Sequence, residues 1–249
     1  MHEAVRGEKM STKSRIEWTE STWNPITGCD KFSAGCENCY AFRMAQRLKH
    51  MGNPKYTNGF ELTLHEDCLG DPTSWKKPML IFVNSMSDLL HKDVPLEYIQ
   101  KIFRVMNDCP HHIFQLLTKR AERLQEIANE VTWSENIWLG VTVENEACKK
   151  RIQYLKDMPA KIKFISFEPL LDDVGVLDLQ GIDWAIIGGE SGPKSRPMQE
   201  DWVINIKHQC EKQGVLFYFK QWGGTNKKKT GRTLLGRTWD DMPEIFYAK

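Results

Sequence analysis

Leu80-Ile81-Phe82-Val83 is an unbroken apolar run that stops abruptly at Asn84-Ser85-Met86-Ser87-Asp88. Four apolar residues without alternation predict a strand covered on both faces. The polar segment behind it predicts a strand end that carries chemistry. Working outward, the same pattern recurs. Residues 113–117 run into Thr118-Lys119-Arg120, 137–141 into Thr142-Val143-Glu144-Asn145, and 164–167 into Glu168. Residues 184–187 lead to Gly188-Gly189-Glu190-Ser191, and 216–219 to Lys220-Gln221-Trp222. Amphipathic stretches at 97–107, 121–129, 146–156 and 201–213 lie between the runs. Pro95 suits the first turn of one helix, and Gly214 the left-handed residue after another. A seventh strand is expected within residues 16–26. Strand–helix alternation implies right-handed crossovers and a parallel sheet. Six or seven such units in 249 residues predict the α/β class, as a single incomplete (β/α) barrel rather than a doubly wound sheet. Such folds place their chemistry on the C-terminal rim, although polar residues also end strands with no further role.

Hydrophobic residues make up 41% and charged residues 27% of the chain, with a formal net charge of +1. That is an ordinary globular composition without a global field for a polyanion. No apolar run reaches bilayer length, and the polar first residues lack the apolar middle of a signal peptide, so a cytoplasmic protein without membrane attachment is expected. Residues 1–13 read as a disordered tail and 14–249 as one domain. Within it, residues 223–237 form a basic loop and residues 239–243 a terminal cap.

The most specific signal is Gly28-Cys29-Asp30-Lys31-Phe32-Ser33-Ala34-Gly35-Cys36-Glu37-Asn38-Cys39-Tyr40-Ala41, in which six and then two residues separate three cysteines. Three thiolates can hold three corners of a [4Fe–4S] cluster and leave the fourth iron open to an outside ligand. Gly28 and Gly35 each precede a cysteine and give the loop torsional freedom. The residues from Tyr40 onward read as a helix. The other four cysteines, Cys68, Cys109, Cys148 and Cys210, stand singly and read as fillers. Two alternatives stay open. Zinc would need a fourth ligand, for which His50 and His65 are candidates, in a nucleic-acid-interaction module without catalysis. A barrel hydrolase would use Glu144, Glu168 and Glu190 as acid–base groups and leave the cysteines unexplained.

A cysteine loop that follows the first strand and closes on Cys-x-x-Cys-Tyr resembles the radical S-adenosylmethionine superfamily, where three residues usually separate the first two cysteines. A closer resemblance is to a phage- and prophage-associated family of unknown function. It rests on Trp23-Asn24-Pro25, the cysteine loop, residues 164–171 and 188–192, and Gly236-Arg237-Thr238-Trp239.

The superfamily resemblance implies that Cys29, Cys36 and Cys39 hold the cluster and that its open iron chelates the amino and carboxylate groups of S-adenosylmethionine. An electron from a flavodoxin- or ferredoxin-like donor would cleave the carbon–sulfur bond, and the resulting 5′-deoxyadenosyl radical would take hydrogen from substrate. Tyr40 would pack near adenine. The superfamily's Gly-Gly-Glu segment usually follows the second strand and holds the methionine amino group. Here that place is taken by Ser85, Ser87 and Asp88, and Gly188-Gly189-Glu190 comes late. Glu144 and Glu168 would face ribose or substrate, and Gly188 and Gly189 would let backbone approach a ligand.

Basic residues behind the strands (Lys119, Arg120, Arg123, Lys194, Arg196) and toward the end (Lys220, Lys227, Lys228, Lys229, Arg232, Arg237) are interleaved there with Trp222 and Trp239. Cations contact phosphates and aromatics stack on bases, so a nucleic acid or nucleotide is the expected substrate. The superfamily also contains a DNA photoproduct lyase, which makes base repair or modification the natural analogy.

Overall fold

The computed structural model describes residue 14 and residues 16–246, without the side chains of residues 227 and 228. The tail expected to be disordered, residues 1–13, lies outside the described residues. Numbered in chain order, the strands are β1 (Ser21–Trp23), β2 (Ile26–Thr27), β3 (Thr63–Leu64), β4 (Leu80–Val83), β5 (Ile113–Thr118), β6 (Ile137–Thr142), β7 (Lys163–Phe167), β8 (Trp184–Gly188) and β9 (Leu216–Gln221). Seven of them form one parallel sheet in the order β1-β4-β5-β6-β7-β8-β9, and β2 and β3 make a small antiparallel pair.

The sheet is strongly curled, as its inward side chains show. The Trp18 ring lies 4.8 Å from Phe82 on β4 and 6.4 Å from Trp184 on β8. In a flat sheet four strand spacings would separate those strands by about 19 Å. One indole bridges them, so the sheet wraps around it. Its edges, β1 and β9, do not pair with each other, which leaves an incomplete barrel.

Alternation along the strands sorts two cores. Outward residues such as Ile81, Val83, Phe114, Leu139, Ile165 and Ile187 join the layer beneath the helices, while Trp138, Phe164, Trp184 and Tyr218 fill the interior. Inward positions shrink and turn polar toward the strand C-termini. Trp138 gives way to Gly140 and Thr142, Phe164 to Ser166, and Trp184 to Ile186 and Gly188. The barrel is plugged at its floor and polar at its mouth, which fixes where a site can be.

The helices are α1 (Tyr40–His50), α2 (Leu96–Asn107), α3 (Leu124–Ile127), α4 (Lys150–Lys156) and α5 (Glu200–Gln213). In α2, Tyr98, Ile99, Ile102, Phe103 and Met106 recur at helical spacing and are all buried, each worth about 1.5–3 kcal/mol. Gly214 ends α5 at φ 71°, the left-handed conformation its position predicts. Between β7 and β8 the chain crosses without a regular helix, where the sequence offered no amphipathic stretch either. Pro169 brings no N–H, and Asp172 and Asp173 accept from the backbone of Asp173 and Gly175 (both 2.9 Å), competing with helical bonds. Gln209 and Gln213 of α5 then accept from Leu177 and Leu179 (2.7 and 2.9 Å) and staple the segment down.

Candidate functional site

The cysteine loop leaves β1 and crosses the mouth before α1 begins. Its start is stitched to the segment behind β4. Asn24 Oδ1 accepts from Ser85 Oγ and Met86 N (both 3.1 Å), Ser87 Oγ donates to Ile26 O (3.0 Å), and Gly28 N donates to Met86 O (3.1 Å). Gly28 turns at φ 83°, where a Cβ would lie 2.1 Å from the Glu61 carbonyl oxygen. Only glycine fits this entry.

Cys29, Cys36 and Cys39 are free and half-buried, whereas Cys68, Cys109, Cys148 and Cys210 are buried. Burial, and after it Asp88, pushes the Cys29 thiol up to about 12. Cys36 and Cys39 add to this, while Arg120, with Nη2 3.8 Å from the Cys29 sulfur, opposes it. Three free, half-buried thiols on one loop are the donor set that an iron–sulfur cluster takes, so the residues present fit that group.

It fits zinc poorly. Zinc would need a fourth ligand beside the three thiols. Neither candidate fourth ligand faces them. His65 Nε2 is engaged with Thr27 Oγ1 (2.8 Å), and His50 ends α1, with Nδ1 on Gln46 O (2.7 Å). Eleven helical residues place His50 about 16 Å along the axis.

Around the mouth, the expected carboxylates all have partners and differ in how deeply the fold buries them. Asp88 is nearly filled: its carboxylate accepts from Leu90 N (3.0 Å), Thr118 Oγ1 (2.8 Å) and Lys119 N (3.0 Å), tying the ends of β4 and β5 together. Glu144 is fully buried and filled. It holds Lys119 Nζ at 2.5 Å, Arg151 Nη1 at 2.8 Å and the Ser33 hydroxyl. Burial alone would raise its carboxyl, but Lys119 and Arg151 outweigh that and hold it down at about 2. Glu190 accepts from Asn38 Nδ2 (2.9 Å) and from Arg196 N, Nε and Nη2 (2.9, 3.0 and 2.5 Å). Burial pushes this carboxyl up, and Arg196 and Asn38 more than reverse it.

The groups left facing the mouth are on the other side. Glu168 pairs through Oε1 with Lys220 Nζ (2.8 Å) and accepts at Oε2 from Trp18 Nε1 and Ser166 Oγ (both 3.2 Å). Gly188 lies against this carboxylate, since a Cβ there would meet Oε1 at 2.6 Å. Gly189 is close to the chain's own backbone, at Trp222 O. Tyr40 exposes half its ring while its hydroxyl donates to Ser85 O. Burial of that end, then Cys39 and Glu168, push the phenol up. Tyr40, next to Cys39 in the chain, is thereby close to Glu168, which Gly188 and Lys220 adjoin.

Of the basic residues, Lys119 and Arg120 flank the loop at the β5 end. Arg120 stacks 4.7 Å over the Phe32 ring. Arg123 is occupied by the carbonyls of His91 and Val94. The C-terminal tryptophans are packing residues and not the stacking platforms expected of them. Trp222 packs on Phe219 and Trp239 on Phe217 (4.9 and 5.9 Å), and their indole N–H groups bond Thr233 O and Leu234 O. Their spacing beside lysines resembled an interface, but both cover β9. Sequence reasoning missed Asn24, Ser33, Asn38 and Arg151. Asn38 carried a signal, lying between two of the cysteines; Arg151 sits mid-helix and carried none.

A family model described as "Protein of unknown function (DUF5131)" matches residues 13–243. No curated protein matches the chain. Two solved structures resemble it at low identity. Spore photoproduct lyase complexed with dinucleoside spore photoproduct is 9% identical, with a TM-score of 0.49. A double mutant of that lyase with bound AdoMet and dinucleoside spore photoproduct is 10% identical, at 0.48. Each match covers 85% of this chain and 66% of the other, so the chain spans just under two thirds of their length.

Proposed function

The chain belongs to the DUF5131 family, and from the geometry of its barrel mouth we propose that it is a radical S-adenosylmethionine-type enzyme acting on a nucleic acid or nucleotide. One observation carries the reading. Three free, half-buried thiols share one loop over the polar end of an incomplete parallel barrel. Cys29, Cys36 and Cys39 hold a [4Fe–4S] cluster, which when bound supplies one-electron chemistry to a ligand at its open iron.

The chain's own residues bind and orient. Tyr40, Ser85, Gly188 and Glu168 line the cofactor's side of the mouth, with Ser87 and Asp88 shaping the turn beneath. Glu168, paired with Lys220, accepts hydroxyl or ammonium donors. Lys119 and Arg120 offer cations to substrate phosphate at the β5 edge, with Glu144 neutralising Lys119 from within. The aromatic floor keeps water out from below. No helix among the described residues is long and apolar enough to cross a membrane. A small electron carrier as partner, a cytoplasmic setting and a phage context belong to the same proposal.

The test is anaerobic iron–sulfide reconstitution with metal and sulfide analysis, and electron paramagnetic resonance before and after S-adenosylmethionine. About four irons per chain, the count of a [4Fe–4S] centre, with a spectrum that shifts on adding the cofactor, support the reading. Stoichiometric zinc, or a cluster indifferent to the cofactor, refutes it.

A further inference from the structure

Of the six residues between Cys29 and Cys36, Asp30, Lys31, Phe32 and Ala34 are exposed, yet the segment is tied to the barrel mouth along its length. Asp30 reaches the segment behind β4, where its Oδ2 lies 3.0 Å from Nε2 of the buried His91. Phe32 stacks on Arg120, with Arg151 5.6 Å from the same ring. Ser33 donates to the buried Glu144. Ala34 O accepts from Arg196 Nη2 at 2.9 Å. Gly35 lies directly on the Glu144–Lys119 pair, and a Cβ there would stand 2.6 Å from Glu144 Oε1 and 2.8 Å from Lys119 Nζ. Arg196 also pairs with Glu37 (3.2 Å), and Lys194 O accepts from Asn38 Nδ2 (3.1 Å).

We propose that this spacer is a strap, docked on Glu144 at one end of the mouth and clamped by Arg196 and Glu190 at the other, that holds the three thiols in their metal-binding arrangement before any metal arrives. Glu144, Gly35, Arg196 and Glu190 are then positioning residues. The proposal rests on the proposed function only for what the thiols bind. A spacer longer than the superfamily's usual three residues would make a floppy loop, because the entropy of closing a loop grows with its length. Docking at two fixed points removes that freedom. A buried, fully ionised carboxylate with two cationic partners is a rigid anchor, since moving it would strand those charges.

The test uses the metal-free full-length chain under anaerobic conditions, with N-ethylmaleimide labelling followed cysteine by cysteine by peptide mass spectrometry. Gly35→Ala adds a methyl that the pinned Glu144 cannot yield to, and Arg196→Lys keeps the charge while removing the fork that binds Ala34, Glu37 and Glu190. Each variant is expected to label Cys36 about tenfold faster through local opening, with Cys109 and Cys210 unchanged. Iron uptake on reconstitution falls in step. Cys36 rates within about twofold of the parent in both variants would overturn the strap. So would acceleration shared by Cys109 and Cys210, which would mean global loosening, or undiminished iron uptake by a variant whose Cys36 has opened. If the parent takes up no iron–sulfur cluster, the proposed function falls while the labelling contrast still decides the strap.

Discussion

Replacing Glu144 by Gln tests the electrostatics of the mouth in isolation. The carboxylate is fully buried, and its pKa is held at about 2 instead of 4.5. A displacement of roughly 2.5 units at about 1.36 kcal/mol each corresponds to about 3 kcal/mol. Removing one member of a buried ion pair independently costs about 3–5 kcal/mol, because the partners stay buried without compensation. The sign follows from the folded pKa lying below the unfolded one. The stabilisation is complete above the unfolded value, near pH 4.5, and is lost as pH falls toward 2. At pH 3 about half of it should survive. Urea unfolding of parent and Glu144→Gln should therefore differ by about 3 kcal/mol at pH 7 and about 1.4 kcal/mol at pH 3. For a chain of this size that corresponds to roughly 6–12 °C in Tm near neutrality. A difference below about 1 kcal/mol at pH 7, or one that does not shrink on acidification, would refute the account of Glu144 as an ionised anchor.

Three further outcomes follow from other contacts. Gly140→Ala puts a Cβ 2.4 Å from the Phe164 ring inside the barrel, and should lower stability by about 1–3 kcal/mol in denaturant titration. Phe103→Ala empties a fully buried site on α2 that also holds Trp133 at 4.9 Å, and should cost about 3–5 kcal/mol by the same measurement. Glu168→Gln, with Lys220 left unneutralised beside it, should keep its iron content but weaken the S-adenosylmethionine-dependent spectral shift, read by titrating the cofactor into reconstituted protein; an unaltered titration would remove Glu168 from the binding side of the mouth.

Strand positions were legible because each is an apolar run bounded by polar residues, and the structure places all six within a residue or so of the runs. The barrel's incompleteness was legible from the number of units. No amphipathic stretch marks the crossover between β7 and β8, and Pro169 and two turn-forming aspartates keep it irregular. That Cys29, Cys36 and Cys39 share one loop was legible from their spacing, and the structure leaves all three free and half-buried. What the carboxylates do was not legible, and the reason is physical. Asp88, Glu144, Glu168 and Glu190 all sit behind strands and look alike in sequence, yet the fold gives each different partners and buries Glu168 least. Asn38 lies 152 residues from the Glu190 it binds, and Ser33 111 residues from Glu144. Nothing local separates the more buried carboxylates from Glu168. Trp222 and Trp239 misled for the same reason, since only the tertiary fold shows that their indoles cover β9.

An incomplete barrel has a seam, and a seam has two exposed backbones. On one side β1 is only three residues long, too short to template another chain. On the other, β9 would offer six residues of unpaired amides and carbonyls next to Phe217 and Phe219. The terminal segment folds back over it: Tyr218 bridges Asp240, Phe219 N donates to Trp239 O at 2.9 Å, and the Arg237 guanidinium lies 3.5 Å over the Trp239 ring. This flap both covers the β9 edge and packs on the core through Trp239 and Met242. Deleting it should lower stability, because the buried Trp184 indole N–H would lose Asp241 O, and should also promote edge-to-edge association as concentration rises.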